Sequence, residues 1–535
     1  MDSQGVEVEK KYDVGADTEV PALAELPGVA RVGEPHVDTL KAVYFDTPDL
    51  ALASRGITLR RRTGGADAGW HLKLPPEGPA PEGSAVDGPE PGSEGSGSGT
   101  EPQRRRELHA PLGQAAVVPD SLQAQLHVYL RGEKVLPVVR LETQRTTYPL
   151  YGGDGAHLAD LADDRVTAKV QSRGGSPEQQ QWREWELELV HGTPDLFPAA
   201  AELLAAAGAH PAQHTSKLAK ALGAGGTGPQ PGPTPDAEPP GKKGPVADLL
   251  TAYLAAQIRE ITANDPGVRL EEPEAVHDLR SATRRSRSAL AAYRRLYDDA
   301  PVRHLRDELK WLGQVLGEPR DAEVMLDRLR SHAAELPAAP ELASVNARLE
   351  EELGNTLDTA YRRLQKAMLS ERYFGLLDSL EAFRDHPPVR PDGSAPARKA
   401  AVKLVAKAAK RLRGAAKTAK ASRGGAKHET SLHQVRKDAK RLRHVAESVG
   451  PVHGKRAAKV AKAAHGQQKI LGDFQDSVVA RNLLAKLVAA PDLPEAAASA
   501  YITLHTRQVQ LAADAEAKYR KARRKSRKLF RRGLQ

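Results

Sequence analysis

Residues 6–14 read VEVEKKYDV, and their charges fall on one side. In an extended strand successive side chains alternate between faces. Glu7, Glu9 and Lys11 therefore share a face, with Val6, Val8 and Tyr12 opposite. The inversion recurs. Arg60 and Arg62 share a face opposite Leu59 and Arg61, and His71 and Lys73 alternate with Trp70, Leu72 and Leu74. Arg140 and Glu142 lie opposite Val139 and Leu141, and Glu184, Glu186 and Glu188 alternate with Trp185, Leu187 and Leu189. Clustered guanidinium and ammonium groups bind phosphate oxygens through charge-assisted, often bidentate hydrogen bonds. Clustered carboxylates need a cation, and all-oxygen ligands suit Mg²⁺ or Mn²⁺. The two kinds of wall together describe a site for a metal–polyphosphate complex.

A second constellation is written twice. VHDLRSATRRSR at 276–287 and LHQVRKDAKRLR at 432–443 share one frame: His277 with His433, Arg280 with Arg436, Arg284 with Lys440, Arg285 with Arg441, and Arg287 with Arg443. LGEPRD (316–321) and LGDFQD (471–476) follow at similar distances, which marks an internal duplication. At about 100° per residue, His277, Arg280, Arg284 and Arg287 fall within an arc of about 80°. Leu279, Ala282, Ala289, Leu290 and Tyr293 lie opposite, so each helix buries one face and offers cations on the other. Among so many arginines, no second His or carboxylate stands at metal-ligand spacing to either histidine.

These residues must be positioned by two unlike halves. Residues 4–222 hold the strand candidates VEVEKKYDV, KAVYFDTP, GITLRRRT, GWHLKLP, RRRELHAPL, VVRLETQRTTYPLY and EWELELV. Their outer apolar faces call for covering helices, and their charged faces for a closed barrel with a polar bore. Gly/Pro-rich stretches at 75–103 and 223–244 read as a disordered insert and a flexible linker. Residues 245–535 carry helical periodicity throughout, with a break at 385–396 that separates halves at about 245–384 and 397–535. The chain has no cysteine, which excludes disulfides and thiolate chemistry. Its net charge of +10 points to a polyanionic partner. Without a visible signal peptide or an 18-residue apolar run, a cytoplasmic protein is expected.

The N-terminal elements resemble the CYTH domain of the triphosphate tunnel metalloenzymes. The match runs from E-x-E-x-K at Glu7, Glu9 and Lys11 through YFDT (44–47), LRRR, LKL with Lys73, Arg140 with Arg145, an aspartate after LADLA, WELEL and Ser216–Lys217. The resemblance implies an antiparallel eight-stranded tunnel within an α+β domain at 4–222. Lys11, Arg60, Arg62, Lys73, Arg140, Arg145 and Lys217 would hold phosphates, and Glu7, Glu9, Glu186 and Glu188 would hold metal. Glu7, Glu9 and Lys11 would be catalytic. Two choices rest on register: Asp164 is favoured over Asp163 as a further metal ligand, and Arg105, which shares a face with Glu107, over Arg106 as a phosphate ligand.

The duplicated helices resemble the CHAD domain, the conserved histidine alpha-helical domain. That resemblance implies an all-α region of two pseudo-symmetric four-helix bundles that binds inorganic polyphosphate. Its ligands would be His277, Arg280, Arg284, Arg285, Arg287, Lys310 and Arg320, with His433, Arg436, Lys440, Arg441 and Arg443. The second copy has His465 where the first has Lys310, and Gln475 where it has Arg320.

The expected function is metal-dependent triphosphatase activity with polyphosphate capture, in the cytoplasm or at polyphosphate granules. The competing expectations are a non-catalytic polyphosphate-binding protein and a nucleotide-processing tunnel of the adenylyl cyclase or thiamine triphosphatase type. Sixteen Lys or Arg against two acids between 398 and 443, and the terminal KYRKARRKSRKLFRR, make nonspecific nucleic acid a further candidate partner.

Overall fold

The computed structural model describes residues 3–75, 102–171, 178–223, 239–335, 342–422, 424–489, 493 and 495–535. The insert and linker expected at 75–103 and 223–244 fall largely outside them. The chain divides into two compact units, Met1–Pro235 and Asp236–Gln535.

The first unit runs β1 (Ser3–Val14), β2 (Arg31–Val32), β3 (His36–Asp46), β4 (Thr58–Thr63), β5 (Gly69–Leu74), β6 (Gln103–Ala110), α1 (Asp120–Leu130), β7 (Leu136–Tyr151), β8 (His157–Val170), β9 (Glu178–Leu189), α2 (Leu196–Ala206), β10 (His210–Pro211) and α3 (Lys217–Ala221). Eight strands form an antiparallel sheet in the order β1-β6-β5-β4-β3-β7-β8-β9. β1 closes it: its first half pairs with β6 and its second with β9, and Glu9 faces Gln103 on one side and Glu188 on the other. β2 and β10 add short pairings to β7 and β1.

Closure turns the sheet's usual polarity inside out. Leu59, Trp70, Leu72 and Leu74 point outward beneath Leu122, Leu126 and Leu130 of α1. Tyr12, Leu161, Trp185 and Leu187 point outward beneath Phe197, Ala200 and Leu204 of α2. Burying those faces under amphipathic helices leaves the opposite, charged faces to line the bore. At one end the bore turns apolar, where Ala42, Val139, Leu141, Val166 and Ala168 pack on Leu218 and Ala221 of α3.

The second unit is helical: α4 (Val246–Arg269), α5 (Ala275–Tyr293), α6 (Asp299–Val315), α7 (Gly317–Ala334), α8 (Leu342–Met368), α9 (Glu371–Asp385), α10 (Ala397–Ala421), α11 (Gly425–Ser448), α12 (Gly450–Val488) and α13 (Glu495–Arg532). Leu326 and Leu329 of α7, Leu349 of α8, Leu484 of α12, and Tyr501 and Leu504 of α13 share one core, so the two sequence halves are interlocked. The duplicated helices α5 and α11 are neighbours, with a buried hydrogen bond of 3.0 Å between Tyr293 Oη and Ser448 Oγ. No helix among the described residues is long and apolar enough to cross a membrane.

Candidate active site and anion-binding surface

The bore gathers Glu7, Glu9, Lys11, Arg60, Arg62, Lys73, Arg105, Arg145, Glu186, Glu188 and Lys217 around one cavity, joined by Tyr44, Thr58, Asp67, Glu107, Thr215 and Ser216. Strand register positions them. Glu7 faces Arg105, Lys11 faces Glu186, and Lys73 faces Glu107 across paired strands.

Opposite charges pair inside it. Lys73 Nζ donates to Glu7 at 2.5–2.6 Å, and Lys11 Nζ donates to Glu9 (2.5 Å) and to Glu186. Arg145 grips Asp164 with two donors at 2.7 and 2.6 Å and reaches Glu186 at 2.6 Å. Lys217 Nζ sits 2.8 Å from Asp164, 2.7 Å from Glu184 and 2.7 Å from Glu186. Burial opposes the charge on Lys217, yet these three carboxylates outweigh it and hold its pKa well above the lysine range. Burial alone would raise the Glu186 carboxyl, but Lys11, Lys217 and Arg145 pull it well down.

Two groups depart from this balance. Glu188 is pushed up to about 7 by burial, then by Glu7, with Glu9 and Glu186 adding to it, and it has no salt bridge among the described residues. Arg62 is pushed down to about 9 by burial and by Arg60 and Arg145 beside it. The first is a locus short of positive charge; the second, crowded by two arginines, pairs with the exposed Asp67 carboxylate.

A divalent cation fits one part of this donor set, and a second part is crowded with carboxylates. Asp164, Glu184 and Glu186 offer ligand oxygens all within 4.8 Å of one another, around the point Lys217 Nζ now holds. Glu7, Glu9 and Glu188 crowd three carboxylates at the barrel's closing seam, where Glu188 can stay uncharged only by keeping its proton.

In each open pair one side chain faces the bore and the other faces outward. Arg105 faces the bore and donates to the Thr215 carbonyl at 2.9 Å, whereas Arg106 reaches outward to Gln125 of α1. Asp164 faces the bore, whereas Asp163 is gripped from outside by Arg183 at 2.8 Å. Arg140 is corrected. It lies five residues from Arg145 on β7, an odd step that puts it on the opposite, exposed face beside Lys169. Glu184 and Glu107 belong to the bore, and the alternation in WELEL and RRRELH carried that signal. Tyr44, to which Arg60 donates at 3.4 Å, had no such mark.

In the helical unit, Arg280, Arg284 and Arg287 of α5 and Arg436 and Lys440 of α11 form one cationic cluster. Lys440 is pushed down to about 7 by burial, then by Arg284, Arg436, Arg280 and Arg287. Arg284 is pushed down to about 10 by burial and by Arg280 and Arg436. Arg306 of α6, absent from the repeated motif, stands close enough to Arg287 and Arg441 to depress both. His433 donates from Nδ1 to Gln475 Oε1 at 3.0 Å. His277 is half-buried on α5, and Lys310 is exposed on α6. Arg285 stands near Tyr253 and His444 as well as near Arg284. Others are tied to acids: Arg320 to Glu323 and Glu274, Arg441 to Asp438, and Arg443 to Glu447.

Comparison with known proteins agrees with this division. The CYTH domain family matches residues 5–221 and the CHAD domain family residues 252–485. An uncharacterized protein of Mycobacterium tuberculosis is 38% identical over 504 residues, 91% of this chain and 89% of its own. A thiamine-triphosphatase of Macaca fascicularis is 41% identical over 70 residues, 13% of this chain and 27% of that protein. The solved CHAD domain of the plant Ricinus communis is 27% identical, with a TM-score of 0.44, over 54% of this chain and 94% of that one.

Proposed function

The chain belongs to the CYTH family through its first unit and to the CHAD family through its second, and on that premise we propose that the barrel hydrolyses inorganic triphosphate with a divalent metal while the α5–α11 surface holds inorganic polyphosphate. The observation that carries the first part is the charge balance of the bore. Among the described residues seven cations (Lys11, Arg60, Arg62, Lys73, Arg105, Arg145, Lys217) meet eight carboxylates (Glu7, Glu9, Asp67, Glu107, Asp164, Glu184, Glu186, Glu188). A polyanion entering a set with no surplus of positive charge must bring counter-cations with it. Glu7, Glu9 and Glu188, or Asp164, Glu184 and Glu186, would hold them.

A bound Mg²⁺ or Mn²⁺ would neutralise phosphoryl oxygens and acidify a bound water. The chain's own cations then exchange carboxylate partners for phosphate oxygens. Lys73 turns from Glu7, Lys11 from Glu9, and Arg62 from Asp67. Water adds to a terminal phosphorus, the bridging P–O bond breaks, and orthophosphate and pyrophosphate leave. Among the described residues the cavity wall offers one aromatic side chain, Tyr44, which favours a substrate made of phosphate alone over one carrying a base or a thiazole.

The test is orthophosphate release from triphosphate, ATP and thiamine triphosphate, each with Mg²⁺ or Mn²⁺. Triphosphate should turn over fastest, and only with metal. Faster turnover of either organic triphosphate would reassign the substrate, and no turnover by folded protein would sink the enzymatic assignment.

A further inference from the structure

Cations in the helical unit are segregated beyond the α5–α11 surface. α10 carries nine Lys or Arg and no acid, and residues 517–532 of α13 carry ten and no acid. Together these two stretches hold more positive charge than the whole chain's net +10, so the remainder is net acidic. The two helices pack side by side, and Arg413 of α10 donates to the Phe530 carbonyl of α13. α10 buries Ala401, Val405, Ala408, Leu412 and Ala416 and turns Lys403, Lys407, Lys410 and Lys417 to solvent. α13 buries Tyr519, Ser526 and Phe530 and turns Lys521, Arg524, Lys528 and Arg531 to solvent. None of these eight has an ion pair among the described residues. A face kept for solubility alone is usually interspersed with acids, and this one is not.

We propose that the α10–α13 face binds duplex nucleic acid without reading its sequence, as a surface distinct from the α5–α11 cluster. Residues three and four apart on a helix lie on one side, about 5–6 Å apart along its axis, so each helix offers a row of cations. Packed helices stand about 8–10 Å apart. Two such rows can meet the two phosphate backbones that flank a groove about 6–12 Å wide. A linear polyphosphate, with one line of charge, engages only one row. Single strands are held largely by stacking on exposed aromatics. The aromatics of these stretches, Tyr519 and Phe530, are only 3% and 4% exposed. That leaves phosphate contact as the mode of binding and the duplex as the form that fits.

Fluorescence anisotropy of the full chain with a labelled 30-base-pair duplex of arbitrary sequence, titrated across salt, tests this. In one variant Lys407, Lys410, Lys417, Arg524, Lys528 and Arg531 are all changed to Gln; every site is exposed, and helix content verifies the fold. Duplex affinity should fall at least about 30-fold and the slope of log affinity against log salt should flatten by about 5, while long-chain polyphosphate affinity changes less than about threefold. A wild-type chain that does not bind the duplex at about 0.1 M salt overturns the proposal. So does a variant with unchanged affinity, tighter binding of a single strand than of the duplex, or an equal loss of polyphosphate binding, which would make the face part of the polyphosphate site.

Discussion

Arg280 lies across the backbone of Gly317 and pairs with Asp321 at 2.9 Å, so a residue of α5 is aimed by the first turn of α7. Arg436 repeats the arrangement: it lies over Gly472, with Asp476 beside it. The repeated LG-x-x-x-D sequence thus fixes one arginine in each copy.

The two glycines predict different outcomes. A Cβ at Gly317 would stand 3.3 Å from an Arg280 Nη, and a branched side chain would displace the guanidinium. Gly317→Leu should weaken long-chain polyphosphate binding by about tenfold, which is about 1.4 kcal/mol. At Gly472 the same contact is an ordinary 3.7 Å, and the residue lies inside α12. Gly472→Ala should keep binding and gain roughly 0.5–1 kcal/mol of stability from helix propensity. Calorimetric titration and thermal unfolding of both variants check this, and equal losses of binding would refute it.

Arg140 and Arg145 make a second pair of contrasting variants. Arg145→Ala removes two hydrogen bonds to Asp164 and one to Glu186, leaving buried carboxylates uncompensated. Triphosphatase turnover should fall by about 100-fold or more, as for loss of a charge-stabilising donor. Arg140→Ala alters only the outer, exposed face and should leave turnover within about twofold. A large loss from Arg140→Ala would mean that its outward position is not the functional one.

The error at Arg140 shows where sequence legibility ends. Period-two alternation identified the bore face of β1, β4, β5 and β9 because a large apolar residue (Tyr12, Leu59, Trp70, Trp185) marks the outer face of each, even where Lys10 or Arg61 shares it. On β7 arginines occur on both faces, and family order alone cannot choose between them; counting residues from Arg145 can. β8 was missing from the strand candidates, since HLADLADDRVTAKV puts Asp160 and Asp164 on one face and Asp163 and Arg165 on the other. Arg306 was invisible for a different reason. It lies outside the repeat and reaches the cationic cluster only through the packing of α6 on α5.

Lys217 gives a metal-dependent prediction. Its ammonium is the shared partner of Asp164, Glu184 and Glu186, so Lys217→Met leaves three buried carboxylates with less cation than they need. Removing one partner of a buried ion pair costs about 3–5 kcal/mol. The variant should melt lower than wild type in chelator, and Mg²⁺ or Mn²⁺ should recover more of its Tm than they add to wild type. Equal metal-induced shifts in the two proteins would show that the triad is not a cation site.

Lys440 predicts a pH dependence of anion capture. Its folded pKa is depressed to about 7 by burial and by Arg284, Arg436, Arg280 and Arg287, well below that of an unfolded lysine. Above pH 7 the folded chain has released this proton while the unfolded chain keeps it, so this group's contribution to stability rises with pH between about 7 and 10. Binding has the opposite sign. A polyphosphate beside Lys440 favours the ammonium, so capture takes up a proton above pH 7, and affinity should fall by up to about tenfold per pH unit there. Below pH 7 the lysine is already charged and this dependence should vanish. Lys440→Arg keeps the charge throughout and should flatten the profile between pH 7 and 9. Titrations in buffers of differing ionisation enthalpy measure the proton uptake directly. A wild-type profile as flat as that of the arginine variant would mean that Lys440 is charged before the anion arrives.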